Sequence, residues 1–354
     1  MTALAPPLRA AVIGCGTIAY DHFKFLAHSQ AAQLVALCDR SPAMAKAAAT
    51  YLERDLPTYT DAGIMLAEQR PDIVHVLTPP QTHDALVRQC LAAGAHVVCE
   101  KPMCGTAEDT AALVHAAAQA GRVLVESRNL LFNDTVAHLA GLVAEGRLGQ
   151  VRECDILLSL DFLAGPFGDT NLTGPGVALP GGAVHDFLPH LVYLFQALAR
   201  VTTADGVSGE YSNRSGNPRA GYDFMDVLVR AGEVRGRLRI ATDIEPSAFR
   251  IYLRGTEACA EADLYNPYLR FEGAPDTGKR YPFGQMRSGI GMVKAGMANL
   301  ANKIAQHGVM HGMTRMLEAV YASIREGREV PIAAEDILAT ARLTDQILAL
   351  RVRA

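Results

Sequence analysis

The segment "RAAVIGCGTIAYDHF" (residues 9–23) constrains the fold more than any other part of the sequence. A short apolar strand leads into a glycine turn, and a helix starts directly after it. Gly14, Gly16 and Ala19 form a G-x-G-x-x-A pattern. The first glycine permits the turn, the second lets a pyrophosphate approach the backbone, and the small third residue lets the helix pack against the strand. The anion would meet free N–H groups at the positive end of the helix. This segment therefore predicts a dinucleotide-binding strand–turn–helix.

A carboxylate at the end of the next predicted strand supports this interpretation. "QLVALCD" ends at Asp39, 23 residues after Gly16, where a carboxylate would accept hydrogen bonds from an adenosine ribose. Asp39 would repel a 2′-phosphate, which favours NAD. Arg40 beside it could stack on adenine or hold that phosphate, so NADP stays open as the alternative.

Strand-like and helix-like segments continue to alternate up to about residue 127. Near-continuous apolar strands between helices predict a parallel sheet that is covered on both faces. Ligands of such sheets bind beyond the carboxyl ends of the strands. The predicted cofactor-binding residues are Gly14, Gly16, Thr17, Ile18, Asp39, Arg40, Thr78, Pro79, His83, Glu100, Lys101 and Asn129.

Lys101 is the most informative of these side chains. It follows a buried strand, and Pro102 restricts the backbone directly after it. A lysine there would stand at the nicotinamide edge of the cleft, where it could hydrogen-bond a substrate hydroxyl or carry a proton. We therefore predict that Lys101 is catalytic as well as cofactor-binding.

Several strings together resemble the Gfo/Idh/MocA family, the relatives of glucose–fructose oxidoreductase and inositol dehydrogenase. They are the glycine turn, "TPPQTH" (78–83), "GAHVVCEKP" (94–102), "RLGQV" (147–151) and "GGAVHDFLPH" (181–190). The resemblance implies an α/β protein with a Rossmann domain over residues 1–129. A second α/β domain would follow over 130–354, with a large, mostly antiparallel open sheet and a last helix that can pack back on the first domain. It also implies a homodimer or homotetramer formed through that sheet.

The same resemblance implies site residues. Lys101 matches the lysine of the family's "EKP" string, and Asp186 and His190 match an Asp and a His of its second-domain motif. Asp186 and His190 are also four residues apart, so on a helix they share one face. A carboxylate there would orient the imidazole and stabilise its protonated form.

His185 is predicted to point elsewhere, about 140° around the helix from His190. A two-histidine chelate is therefore not expected, and no other cysteine or histidine spacing suits zinc. We predict no metal site. His185 is expected only to pack or to cap.

Several positions depart from the family pattern, including Leu131 and Asp134 where the family has Arg and Pro, and three positions on the predicted helix of Asp186 and His190. Leu188 stands where the family usually has glycine, and Tyr193 stands where it often has a further aspartate. Pro189 lacks an N–H group, so we expect it only near a helix start. These departures leave the substrate and the exact proton-transfer partner open.

The predicted function is hydride transfer between the nicotinamide of NAD(P) and a hydroxyl or keto carbon of a sugar, cyclitol or sugar derivative. One alternative is a redox-neutral enzyme that keeps and recycles its NAD, as in glycoside cleavage through a transient ketone. Another is a nucleotide-binding regulatory protein without turnover.

The second half of the chain is less patterned. The string "VRGRLRI" places Arg235, Arg237 and Arg239 on one strand face, either as a solvated or subunit-facing surface or as an anion site. Residues 163–182 are rich in Gly and Pro, and we expect them to cover the substrate. No internal repeat, coiled coil or low-complexity tract is predicted.

Composition excludes other classes of protein. A net charge of −4 gives no reason to expect nucleic acid or a membrane surface as partner, and no apolar run reaches membrane-spanning length. Seven cysteines, several of them in apolar runs, suit a reducing cytoplasm better than a disulfide framework. We therefore expect a cytoplasmic protein.

Overall fold

A computed structural model describes residues 6–161, 174, 178–273, 281–304 and 311–353. The chain divides into two compact units, Met1–Phe132 with Gly312–Ala341, and Asn133–His311 with Arg342–Ala354. The sequence-based division after residue 129 placed 130–354 in the second domain, with a last helix that can pack back on the first. In the structure, Gly312–Ala341 groups with the first unit.

The helices and strands alternate regularly in the first third of the chain. The strands are β1 (Leu8–Ile13), β2 (Ala32–Cys38), β3 (Thr58–Tyr59), β4 (Ile73–Val76), β5 (His96–Cys99), β6 (Leu124–Glu126), β7 (Val151–Asp161), β8 (Gly206–Ser212), β9 (Phe224–Ala231), β10 (Val234–Ala241), β11 (Asp243–Gly255), β12 (Ala258–Asp263) and β13 (Tyr268–Gly273). The α-helices are α1 (Ala19–His28), α2 (Pro42–Tyr51), α3 (Ala62–Gln69), α4 (His83–Ala92), α5 (Ala107–Gln119), α6 (Asp134–Ala144), α7 (Gly182–Ala199), α8 (Tyr281–Ile304), α9 (His311–Glu326) and α10 (Ala334–Leu348).

The sheet of the first unit is parallel, in the order β3-β2-β1-β4-β5-β6. This is the order of a doubly wound nucleotide-binding sheet, with its switch point between β1 and β4. The central strands are buried on both faces, which explains their unbroken apolar runs. Helix starts are fixed by side chains that accept backbone N–H bonds, such as Ser41 for α2 and Thr106 for α5.

The second unit contains a seven-stranded sheet in the order β13-β12-β11-β7-β10-β9-β8. All its neighbouring pairs are antiparallel except β7 with β10. Helix α7 packs against β7 and β10 and buries most of its length. The predicted fold class, a Rossmann domain plus an α/β domain with a mostly antiparallel sheet, is confirmed.

Helix α9 contributes Met313, Met316, Val320 and Tyr321 to the apolar core of the first unit. All seven cysteines are free thiols. Among the described residues, no helix combines the length and the apolar character needed to span a membrane.

Candidate active site

The glycine turn after β1 is built for a close approach. Gly14 has φ +96, and a Cβ atom there would lie 2.7 Å from the carbonyl carbon of Leu77. No side chain fits at this position, so the turn after β1 packs directly on the turn after β4. A Cβ atom on Gly16 would meet nothing within 4 Å. Gly16, Thr17 and Ile18 lead into the N-terminus of α1, so the open side of Gly16 is where a pyrophosphate fits.

Asp39 is tied to this turn by its carboxylate. One oxygen accepts the N–H of Cys15 at 2.8 Å, and the other accepts the N–H of Ser41 at 2.8 Å. The side chain is half-buried, and Arg40 next to it is exposed. Because each carboxylate oxygen has more than one lone pair, Asp39 can still accept a ribose hydroxyl while it holds the turn. These residues fit a bound dinucleotide.

The loop that carries Lys101 is fixed on both sides by buried carboxylates. Glu100 accepts the backbone N–H of Lys101 at 3.2 Å, and Glu126 accepts the N–H of Met103 at 3.0 Å. Glu100 and Glu126 are 7% and 5% exposed, whereas Lys101 is half-exposed. The lysine therefore stands on a backbone that is held in one place while its side chain reaches solvent.

His83 joins two of the strand-end loops. Its Nδ1 lies 3.0 Å from the carbonyl oxygen of Pro102, and its Nε2 lies 2.8 Å from that of Thr78. Burial lowers the pKa of His83, although both carbonyls favour the charged form. The ring is fully buried. The predicted cofactor contact of His83 stays a prediction, and the geometry shows a positioning role for it between Thr78 and Pro102.

Glu100 also ends a buried chain of polar side chains. Its Oε1 lies 3.4 Å from Nε2 of His22. Nδ1 of His22 lies 2.8 Å from Nδ1 of His75, and Nε2 of His75 lies 2.8 Å from the hydroxyl of Tyr321. With both imidazoles neutral, one set of hydrogens satisfies this chain. Tyr321 then donates to His75, and His75 donates to His22. The last donor is Nε2–H of His22, which donates to Glu100.

The environment sets the charge of this chain. Burial raises the pKa of the Glu100 carboxyl, but His22, Lys101 and the Ser127 hydroxyl outweigh burial and bring that pKa to about 2. Burial lowers the pKa of His75 well below its ordinary value, and His22 lowers it further. Glu100 is therefore ionised and His75 is neutral at neutral pH.

A second buried polar network, an ion pair between Glu126 and Arg128, was not predicted from the sequence. Glu126 pairs with Arg128 at 3.0 Å, and Arg128 also donates to the backbone oxygen of Asp336 at 3.1 Å. Asn129, a predicted cofactor residue, is buried next to them. His75 gave the one sequence signal for these networks, a histidine inside the apolar strand "IVHV".

In the second unit, Asp186 and His190 both lie on α7 and are half-buried. The hydroxyl of Tyr193 lies 2.6 Å from Nδ1 of His190. Tyr193 is itself buried. Tyr193, which stands where the resemblance led us to expect an aspartate, is therefore a contact of His190.

Pro189 lies inside α7 rather than near its start, so the expectation for Pro189 was wrong. The helix begins at Gly182, seven residues before the proline. Its packing against β7 and β10 offsets the hydrogen bond that proline cannot donate. His185 is buried on the same helix.

Two further predictions have separate outcomes. Among the described residues, no group of three or more His, Cys, Asp or Glu side chains is arranged to hold a metal ion. The predicted cover over 163–182 falls mostly on residues 163–173 and 175–177, which lie outside the described residues.

The chain matches a family model over residues 8–127, described as "Oxidoreductase family, NAD-binding Rossmann fold". The first unit is therefore an NAD-binding Rossmann domain, as the glycine turn and Asp39 predicted.

Relatives and solved structures extend the comparison. The D-apiose dehydrogenase of Paraburkholderia graminis is 24% identical over 92% of this chain and 89% of its own. The D-glucoside 3-dehydrogenase of Escherichia coli is 32% identical over 41% of each chain. The chain spans 41% and 44% of the lengths of two uncharacterized oxidoreductases, from Schizosaccharomyces pombe and Synechocystis.

The fold resembles that of the WlbA dehydrogenase of Bordetella pertussis, solved with NADH and UDP-GlcNAcA. That structure has a TM-score of 0.80 at 20% identity and covers 97% of this chain and 95% of its own. At 20% identity, this similarity shows a shared fold and no more.

Proposed function

We propose that this chain is a Gfo/Idh/MocA oxidoreductase that acts as an NAD-dependent dehydrogenase or reductase, supported by the family match of its Rossmann domain. It transfers hydride between nicotinamide and a hydroxyl or keto carbon of a sugar, cyclitol or sugar derivative. Relatives named for D-apiose and D-glucoside, and a similar fold solved with a nucleotide sugar, support this substrate class.

The observation that carries the proposal is the rigid loop around Lys101. Buried carboxylates hold the backbone N–H groups of Lys101 and Met103. The ammonium group at its half-exposed end is suited to hydrogen-bond a substrate oxygen and to stabilise negative charge as the carbon–oxygen bond order changes. NAD, when bound, supplies the acceptor or donor of the hydride.

His190 is proposed as the group that takes up or returns the proton of the substrate hydroxyl. In the oxidation direction, in which bound NAD would accept the hydride, Nε2 of His190 takes the proton of the substrate hydroxyl. The Tyr193 oxygen lies 2.6 Å from Nδ1 of His190. In the tautomer that carries its hydrogen on Nδ1, Tyr193 accepts that hydrogen, and the lone pair that takes the proton is on Nε2. Asp186, one turn earlier on α7, is proposed to stabilise the imidazolium that forms.

The first experiment follows absorbance of reduced nicotinamide with a panel of polyols, sugars and nucleotide sugars, with either NAD or NADP. We expect turnover with NAD on at least one sugar-like substrate. His190→Asn should lower kcat by about 10²–10⁴-fold without changing NAD affinity. The matched control is His115→Asn, since His115 is exposed on α5 and should leave kcat unchanged.

Near-wild-type turnover of His190→Asn would overturn the assignment of the proton. Lys101→Met should lower kcat as well, and Lys46→Met, at an exposed position of α2, is its control. NAD that co-purifies and does not exchange, together with no net change in absorbance, would favour the redox-neutral alternative instead.

We further propose that the protein is cytoplasmic and assembles as a homodimer or homotetramer through the sheet of the second unit. Seven free thiols suit a reducing compartment. Sedimentation of the native protein tests the assembly, and a monomer at all concentrations would contradict it.

A further inference from the structure

Helix α8 exposes large apolar side chains at alternating intervals of three and four residues. We call them the apolar stripe of α8. They are Phe283, Met286, Ile290, Val293, Met297 and Leu300, with exposed fractions between 58% and 68%. Alternating three- and four-residue spacing is the a/d pattern of a heptad repeat, which places all members on one side of a helix. The stripe is about 26 Å long, given 1.5 Å per residue.

The described residues of this unit do not account for the stripe. Helix α8 contacts β13, and its less exposed positions include Ser288, Ala295 and Asn299. These lie roughly 170° around the helix from the stripe. An amphipathic surface helix normally turns its apolar side to the core and its polar side to water. In α8 the small and polar side packs, and the apolar side faces outward.

The interior glycines of α8 lower its intrinsic helix stability, so the helix depends more on packing. Gly289, Gly291 and Gly296 lie within the helix, and each costs a helix about 1 kcal/mol relative to alanine. A helix with this composition is marginal unless packing stabilises it. No coiled coil was predicted from the sequence, and the pattern in α8 spans only about three heptads.

We infer that the apolar stripe of α8 packs against the same stripe of a second copy of this chain, as a two-helix coiled-coil contact. The stripe holds a and d positions, the narrow pattern of a helix pair rather than the wider apolar face of a membrane-surface helix. Met292, which is also exposed at 50%, lies about 130° around the helix from the stripe. Gly289 and Gly296 precede Ile290 and Met297, and a Cβ atom on either glycine would meet nothing within 4 Å. They leave room beside the stripe for a second helix to approach closely.

The size of the stripe fits such a contact. Six side chains with roughly 100 Å² exposed on each would bury about 600 Å² per copy. Specific interfaces bury about 800 Å² per partner, so the stripe supplies most of one and neighbouring residues the rest. A uniformly apolar stripe is complementary to itself, as a two-fold contact requires. This contact is separate from the proposed contact through the sheet, and the two together would produce a tetramer.

The test measures molar mass by light scattering after size exclusion, over a range of concentrations. The double variant Val293→Glu/Met297→Glu places charges in the middle of the stripe. We expect its mass to be half that of the wild type, with NAD binding unchanged because the Rossmann domain is untouched. Ala298→Glu is the matched control, since Ala298 is exposed on the same helix but lies about 110° from the stripe.

Two results would overturn the inference. One is a wild-type protein whose molar mass is that of a monomer. The other is a double variant that still binds NAD and has the same molar mass as the wild type. If the double variant misfolds, as shown by lost NAD binding, Met297→Lys and Leu300→Lys are measured singly by the same criterion. A monomeric wild type that sediments with phosphatidylglycerol vesicles, when the double variant does not, would assign the stripe to a membrane surface instead. Because NAD turnover is measured separately, failure here is distinguishable from failure of the proposed function.

Discussion

Two carboxylates, one in each unit, hold arginine side chains in opposite surroundings. Glu126 pairs with Arg128 where the two side chains are 7% and 2% exposed. Asp226 pairs with Arg237 at 2.6 Å and Arg239 at 3.0 Å, and these arginines are 46% and 35% exposed. The geometry of the pairs is similar, but water reaches only the second group.

The difference separates two uses of charge. In the first unit, Glu126 also fixes the N–H of Met103, so the ion pair is part of the support for the loop of Lys101. In the second unit, one carboxylate pairs with two arginines on the open side of the sheet. This favours the solvated or subunit-facing interpretation of Arg235, Arg237 and Arg239 over an anion site, because two of the three already bind a carboxylate that offsets part of their positive charge.

The largest effect is expected in the buried pair. Glu126→Gln removes the carboxylate charge that lies 3.0 Å from the Arg128 guanidinium, and breaking a buried ion pair costs about 3–5 kcal/mol. Urea unfolding of the two proteins measures this loss of free energy. The double variant Glu126→Gln/Arg128→Met removes both charges and should recover most of it. A single variant as stable as the wild type would show that water reaches Arg128.

A smaller loss is expected at the glycine turn of the same unit, where two neighbouring glycines should behave differently. Gly14→Ala places a methyl group 2.7 Å from backbone atoms at φ +96, and we expect a loss of about 2–3 kcal/mol in unfolding free energy. The methyl group of Gly16→Ala would contact no neighbouring atom. We expect an effect on the free energy of unfolding below about 0.5 kcal/mol, and therefore a Tm within about 2 °C of the wild-type value.

The same glycine pair tests the cofactor site. Gly16→Ala should raise the Kd for NAD roughly 10-fold, a change of about 1.4 kcal/mol, because its methyl group occupies the side open to the pyrophosphate. Calorimetry with NAD measures it. Equal affinity of Gly16→Ala and wild type would contradict the placement of the cofactor at this turn.

Local patterns in the sequence predicted much of the first unit. Gly14, Gly16 and Asp39 act through turns and strand ends that adjacent residues already define, so their placement follows from strand order alone. His75 and Tyr321 could not be paired in advance, because 246 residues separate them and only the packing of α9 brings them together.

The second unit was harder to predict for related reasons. The contact between Tyr193 and His190 depends on side-chain conformations on α7, and Pro189 sits inside a helix whose packing overrides a local rule. The apolar stripe of α8 is visible in the sequence, but only the observed exposure shows that it is not core. Long-range packing and side-chain geometry are what the pattern of residues leaves undetermined.

The smallest effect of a charge change is expected at Asp226. Hydrogen bonds from Arg237, together with the charges of both arginines, lower the pKa of this carboxyl, and partial burial opposes them. A lowered pKa in the folded state stabilises the protein above the unfolded value near 3.9, and this contribution is lost as the pH falls through the folded value. Because the arginines are exposed, Asp226→Asn should cost less than about 1 kcal/mol at pH 7. Unfolding measured from pH 7 to pH 3 should show the gap between variant and wild type closing toward acid, and 1 M salt should narrow the gap at pH 7. A loss as large as that of Glu126→Gln would mean that water does not reach this group, for instance because a second copy of the chain covers the open side of the sheet.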